Sequence, residues 1–189
     1  MTQAANGCML LPPELEERTV LLNDVGTRDD GEFVLYWAHH ALRAHDNTAL
    51  EAAACLAQHL DLPLLVYQGL GGRHRYNSDR HHRFILQAAR DFAAQLAALE
   101  QRLVFHLPED PAQPGPLGSL LERSAAVVSE LYPVPPFRQW YKRHAASHTA
   151  LPWMLVDASC ILPMTLSEEA PNRAFRFRNK WRAEIDRRV

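Results

Sequence analysis

The apolar residues of this chain fall into short dense runs, separated by longer stretches of helical period. Phe33-Val34-Leu35-Tyr36-Trp37 comes first, followed by Leu64-Leu65-Val66-Tyr67, Leu103-Val104-Phe105, Ala125-Ala126-Val127-Val128 and Trp153-Met154-Leu155-Val156. Each has the length and the β-branched or aromatic content of a strand, and near-continuous apolarity means burial on both faces, as in a parallel sheet. Between the first two runs, Ala49, Leu50, Ala53, Leu56, Ala57 and Leu60 repeat at three- and four-residue steps behind Asp46-Asn47, either of which can cap a helix. After Ser78-Asp79, a second stripe runs through Ile85, Ala88, Ala89, Phe92, Leu96 and Leu99. A shorter helix is expected around 117–123, after a loop holding Pro108, Pro111, Pro114 and Pro116; another should start near Pro135-Pro136 and carry Phe137, Trp140 and Tyr141. Strands alternating with helices predict βαβ units. The fold class expected is therefore α/β, a doubly wound, Rossmann-like sheet of five parallel strands with helices on both faces. The strands starting at Phe33 and Leu64 should be parallel neighbours, because right-handed βαβ connections keep successive strands close.

The two ends behave differently. Residues 1–31 show no clear period and read as an N-terminal extension to an α/β domain spanning 32–165. Residues 166–189 read as a basic amphipathic tail or an interdomain linker helix. Ala174, Phe177, Trp181 and Ile185 share one face, while Arg173, Arg176, Arg178, Lys180, Arg182, Arg187 and Arg188 crowd the rest. Such a stripe buries itself against the sheet domain or against another copy of the chain, which would make a homo-oligomer through this helix.

Composition narrows the field. With 189 residues, 47% apolar and 22% charged, the chain suits one domain with a tail, and it is neither disordered nor collagen-like nor a disulfide scaffold. A formal net charge of −2 gives no overall field that would draw it to nucleic acid. The three cysteines, Cys8, Cys55 and Cys160, are far apart and form no CxxC pair. No apolar run approaches the roughly 20 residues of a membrane span, and no leader pattern opens the chain. The expectation is a cytoplasmic protein with no membrane partner.

Candidate chemistry is sparse. Gly69-Leu70-Gly71-Gly72-Arg73 follows the second strand, where glycine amides could cradle a phosphate or simply form a loop; neither GxGxxG nor GK[ST] is present. Ten histidines include His39-His40, His74 and His81-His82, but no HExxH or cysteine partner accompanies them, so no metal site is expected. GxSxG is also missing, and no catalytic residue is nominated.

The most informative stretch runs from Leu35 to Leu50. A strand ends in Trp37, a loop carries Leu42-Arg43, and Asp46-Asn47 opens an Ala49-Leu50 helix. This arrangement resembles the opening of the DNA photolyase and cryptochrome family. The likeness continues through Pro63–Tyr67, the helix holding Arg83-Phe84-Ile85-Leu86, and Val156-Asp157-Ala158 with Leu162-Pro163. It covers about 32–165 and is nearest to the class II branch, although Thr48 and Ala38 depart from that pattern. Physically, Arg43 is placed to pair with Asp46 across the loop.

The resemblance implies an N-terminal α/β antenna domain of a family whose activity is light-dependent DNA repair by a lyase. It implies a deazaflavin or folate antenna chromophore in the crevice at the strand C-termini. FAD belongs with a separate helical domain, on another chain or missing from this one, and DNA would be met only through that full architecture. Alone, the chain is expected to be inactive in repair. The crevice residues nominated by fold position are Trp37, His39, Arg43, Gly69, Gly71 and Glu130. The alternative readings are a stand-alone nucleotide-binding sensor and a docking domain of Rossmann-like fold.

Overall fold

A computed structural model describes residues 11–23, 25–71, 78–110, 115–167 and 172–189. Cys8, Gly72, Arg73, His74, Pro111 and Pro114 lie outside the described residues. In chain order the elements are α1 (Pro13–Glu16), β1 (Thr19–Leu21), β2 (Phe33–Trp37), α2 (Thr48–Leu60), β3 (Leu64–Gly69), α3 (Asp79–Ala97), β4 (Leu103–His106), α4 (Leu117–Arg123), β5 (Ser124–Glu130), α5 (Phe137–Ser147), β6 (Trp153–Val156) and α6 (Ala174–Arg188).

The sheet order is β1-β6-β5-β2-β3-β4. The five expected strands, β2 to β6, are mutually parallel, and β2 pairs with β3 from Val34↔Leu64 to Trp37↔Tyr67. The strand count needs correcting, because the sheet has six strands. The sixth, β1, runs antiparallel to β6, with Thr19 opposite Val156 and Leu21 opposite Met154. It covers the edge of a sheet that would otherwise expose unpaired β6 amides.

Two apolar layers enclose the sheet. On one face Val34, Tyr36, Val66, Val128 and Met154 pack against Leu15 of α1, Ala53 and Leu56 of α2, and Phe92 and Leu96 of α3. On the other face Leu35, Trp37, Tyr67, Val127 and Trp153 pack against Leu121 of α4 and Tyr141 of α5. Successive residues of a strand point to opposite faces, so β2, buried at all five positions, feeds both layers. The stripe on α3 ends sooner than its spacing suggests, since Leu99 lies beyond the helix and is exposed.

α6 is the least integrated helix. Phe177, Trp181 and Ile185 are half-buried, and no residue of the helix is fully buried. Its end is held by charge, with the Arg188 guanidinium donating to both Glu17 oxygens at 2.5 and 2.8 Å and to Glu184 at 2.7 Å. No described helix is long and apolar enough to cross a membrane.

From β2 the chain winds outward through β3 to β4; β5 then returns to the other side of β2 and leads to β6. Reversal of winding opens a crevice at the C-terminal ends of the strands. The approach to β2 is tight: Glu32 donates its amide to the Arg123 carbonyl at 2.8 Å and Arg28 donates to that of Ala125 at 3.0 Å. A Cβ on Gly31 would lie 2.2 Å from the Ala125 Cα and 2.3 Å from its nitrogen, both main-chain atoms of a central strand. Gly31→Ala should therefore destabilise the fold by about 1–3 kcal/mol, the usual cost of overpacking, while Gly26→Ala, with open space around it, should not. Urea unfolding of the two variants checks this; equal midpoints would refute the close approach.

Candidate functional site

The cleft is built from the loop that leaves β2. Asn47, almost wholly buried, organises it: its Oδ1 accepts the Leu50 amide at 3.1 Å, capping α2. Its Nδ2 donates to the carbonyls of Ala41 and Arg43, both at 2.9 Å, and to the Tyr36 hydroxyl at 3.1 Å. Of the two possible caps, Asn47 is the one used. Asp46 instead takes the left-handed turn position, with φ 49°, which its short polar side chain tolerates. The expected Arg43–Asp46 side-chain pair does not form. Arg43 reaches two main-chain oxygens, the carbonyl of Asp46 at 2.9 Å and that of Ala158 at 2.7 Å.

The second contact ties this loop to the one after β6. Thr48 donates its hydroxyl to the Asp157 carbonyl at 2.8 Å. The buried Asp157 carboxylate accepts the amides of Ser159 and Cys160, both at 3.0 Å, and of Met164 at 2.9 Å. The Leu-Arg…Asp-Asn and Val-Asp-Ala motifs thus interlock at the carboxyl edge of the sheet.

Beside them Glu130 ends β5, entirely buried. Its carboxylate accepts the Tyr36 hydroxyl at 2.8 Å and the His39 amide at 3.1 Å to each oxygen. Burial pushes its acidity down, raising the pKa above the ordinary carboxylate range.

Past this anchor the His39 ring stands against Trp37, with centroids 4.4 Å apart. Three side chains of α5 face it, Phe137 at 5.2 Å, Tyr141 at 5.4 Å and Trp140 at 5.9 Å. Trp37 also meets His144 edge-on at 5.4 Å. Together with Tyr67, Gly69, Leu70 and Gly71 from β3 and its loop, and His106, Gly115, Leu117 and Arg143, these enclose a cleft of about 290 Å³.

Four nominated residues, Trp37, His39, Gly69 and Gly71, come together in its lining. Glu130 lies beneath the floor and Arg43 at the motif junction, neither of them lining it. Gly69 has a reason other than free amides: a Cβ there would meet the Tyr67 hydroxyl at 2.7 Å. Sequence reasoning missed Tyr67, His106, Trp140, Arg143 and His144. The last group had a signal, because Trp140, Arg143 and His144 stand at i, i+3 and i+4 and share a helix face.

The lining is aromatic with positive charge at Arg143, and among the described residues no carboxylate lines it. His39 is held neutral, its pKa brought down to about 3 by burial, then by the neighbouring His40 and His144. His40 is likewise lowered to about 4 by burial, and Tyr67 is pushed up to about 12. The enclosed His39 Nε2 has no hydrogen-bond partner, a condition that buried polar atoms rarely keep without a ligand or water. Among the described residues no group of His, Cys, Asp and Glu is arranged to hold a metal ion.

A family model described as DNA photolyase matches residues 34–186. The deoxyribodipyrimidine photo-lyase of Methanothermobacter thermautotrophicus is 29% identical over 158 residues, 83% of this chain. The chain spans about a third of that relative's length, 35%. Neither match, by its description, distinguishes the class II branch.

The neutral histidines give the fold an acid weakness. Unfolded, each takes up a proton as pH falls through about 6.5, while His39 and His40 in the folded chain resist until about 3 and about 4. Stability is thus greatest above 6.5 and declines as pH falls toward 4. The raised Glu130 works in the opposite direction, favouring the fold at low pH. In His39→Leu the melting temperature should fall less steeply between pH 7 and pH 5 than in the unaltered chain. Equal slopes would show that His39 takes up its proton over the same pH range folded and unfolded, so that burial does not hold it neutral.

Proposed function

The chain belongs to the DNA photolyase family, and on that premise we propose that it is the α/β antenna domain, holding a light-harvesting chromophore in the cleft between β2, β3 and α5. The observation that carries this reading is an aromatic-walled cleft with an unpartnered His39 Nε2 and the cationic Arg143 at the carboxyl edge of the sheet. A flat heteroaromatic ring suits Trp37, His39 and Trp140 as walls. Its carbonyl or N–H edge would satisfy His39, and an acidic substituent would meet Arg143. A deazaflavin or a folate has these parts. The volume, about 290 Å³, is at the small end of ligand sites and favours one fused ring system over a dinucleotide. The bound group would absorb light and pass its excitation to a flavin held elsewhere.

In this reading the lining residues Trp37, His39, Gly69 and Gly71 touch the chromophore, while Arg43 and Glu130 shape the loops behind it. FAD sits in a helical domain on another chain or on a further part of a longer one, and α6 is the segment that meets it. Pyrimidine-dimer repair and contact with DNA belong to that assembly, working in the cytoplasm. The nucleotide-sensor alternative has less support, because Gly69 makes room for the Tyr67 phenol.

Titration with a reduced folate and with a deazaflavin, read by tryptophan fluorescence, tests the reading. Saturable one-to-one quenching is expected with one of them, and no stoichiometric binding of FAD. Trp140→Ala should weaken the binding about 2–10-fold, the loss of one aromatic stacking contact. Absence of quenching by both ligands would remove the antenna reading.

A further inference from the structure

Glu130 was nominated as a ligand contact, yet its side chain is fully buried and does not line the cleft, and its carboxylate is taken up by the His39 amide. It is also a costly residue to keep there. A carboxylate taken out of water needs compensation, and among the described residues no lysine or arginine pairs with it. Its partners include the Tyr36 hydroxyl and the His39 amide, which lies within reach of both oxygens, and the main chain of Ala41 further along the same loop. Tyr36 is in turn gripped by Asn47, the cap of α2. Within this network the contact with the His39 amide is the one made to a residue that lines the cleft.

We propose that Glu130 is a positioning residue for the cleft: by gripping the His39 main-chain amide it fixes the imidazole against Trp37, where the residue lines the cleft. The inference rests on the antenna reading only for what occupies the cleft. A cap alone would close the turn, and Asn47 already supplies one. Glu130 adds a second, independent hold one residue after Ala38. Ala38 is held by the Tyr67 carbonyl and Ala41 by Asn47, so without Glu130 it is the His39-His40 segment that gains freedom, and with it the ring enclosed by Phe137, Trp140 and Tyr141.

The ring itself reports its position. The titratable groups that face it are His40 in its own loop, Tyr141 and His144 from α5, and Glu130 from β5. Enclosed, His39 stays neutral to about 3; released to water, it returns toward the ordinary histidine value of 6.5. NMR of chain labelled with ¹⁵N-histidine, followed through an acid titration, separates positioning from mere stability.

In Glu130→Gln, which keeps the size of the side chain but loses one of the two acceptor oxygens, the His39 midpoint should rise clearly toward 6.5 while the far-UV spectrum remains that of the folded chain. Tyr36→Phe removes the phenol hydrogen bond to Glu130 together with the one the phenol accepts from Asn47, leaves both Glu130 oxygens to the His39 amide, and should raise the midpoint less. A folded Glu130→Gln protein in which His39 titrates as in the unaltered chain overturns the proposal. If Glu130→Gln does not fold, Tyr36→Phe decides, and an unchanged His39 midpoint there overturns it equally. The readout needs no chromophore. A chain that binds neither folate nor deazaflavin but shows the His39 rise supports the positioning role while ending the antenna reading.

Discussion

The main chain leaving β2 and β6 turns back over the carboxyl end of the sheet, and its amides are gathered by two carboxylates that are themselves wholly buried. Glu130 and Asp157 are the acceptors. Asp157 gathers three amides of the loop that follows β6, and Glu130 takes that of His39 in the loop that follows β2. A buried carboxylate surrounded by N–H and O–H donors is tolerated where an unpartnered one is not. Arg43 and Thr48 then bond the two loops to each other through the Ala158 and Asp157 carbonyls. The strand ladders fix Trp37, and this junction holds His39, the cleft residue in the loop that follows.

From that base the cleft acquires its character by exclusion of charge. Trp37, Tyr67, Trp140 and three histidines supply rings to the lining, and burial keeps His39 uncharged. Arg143, at the exposed rim, is then the guanidinium that an acidic group on a bound ring would meet. The same burial leaves Tyr141 Oη and Trp153 Nε1 without partners beneath the rings. Such unsatisfied atoms weaken a fold and are commonest where a site awaits its occupant or ordered water.

Much of the architecture was legible because central parallel strands are apolar on both faces. Phe33–Trp37 and Ser124–Glu130 are buried at every position and announce themselves as runs. β1 was not legible, since Thr19–Leu21 is three half-buried residues with no period to read. The Asp46-Asn47 cap was found by residue type, but choosing between the two needed the backbone, where Asp46 takes the left-handed turn. Arg43 was misread for a related reason: a guanidinium beside an aspartate suggests an ion pair, whereas here carbonyl oxygens of two loops converge on it. At the cleft, residues ending strands could be nominated from topology. For the α5 wall the shared face of Trp140, Arg143 and His144 was readable, but nothing local says that this face folds over Trp37.

The account turns on one claim, that a planar ring enters between the β2 edge and α5. Two-dimensional ¹H–¹⁵N spectra of the chain with and without a saturating folate or deazaflavin test it directly. The shifts should concentrate on the Gly69 and Gly71 amides, the Trp37 and Trp140 indoles and the Arg143 side chain, with the amides of α6 unmoved. Shifts that gather along α6, or that spare both indoles while ligand is bound, would contradict it.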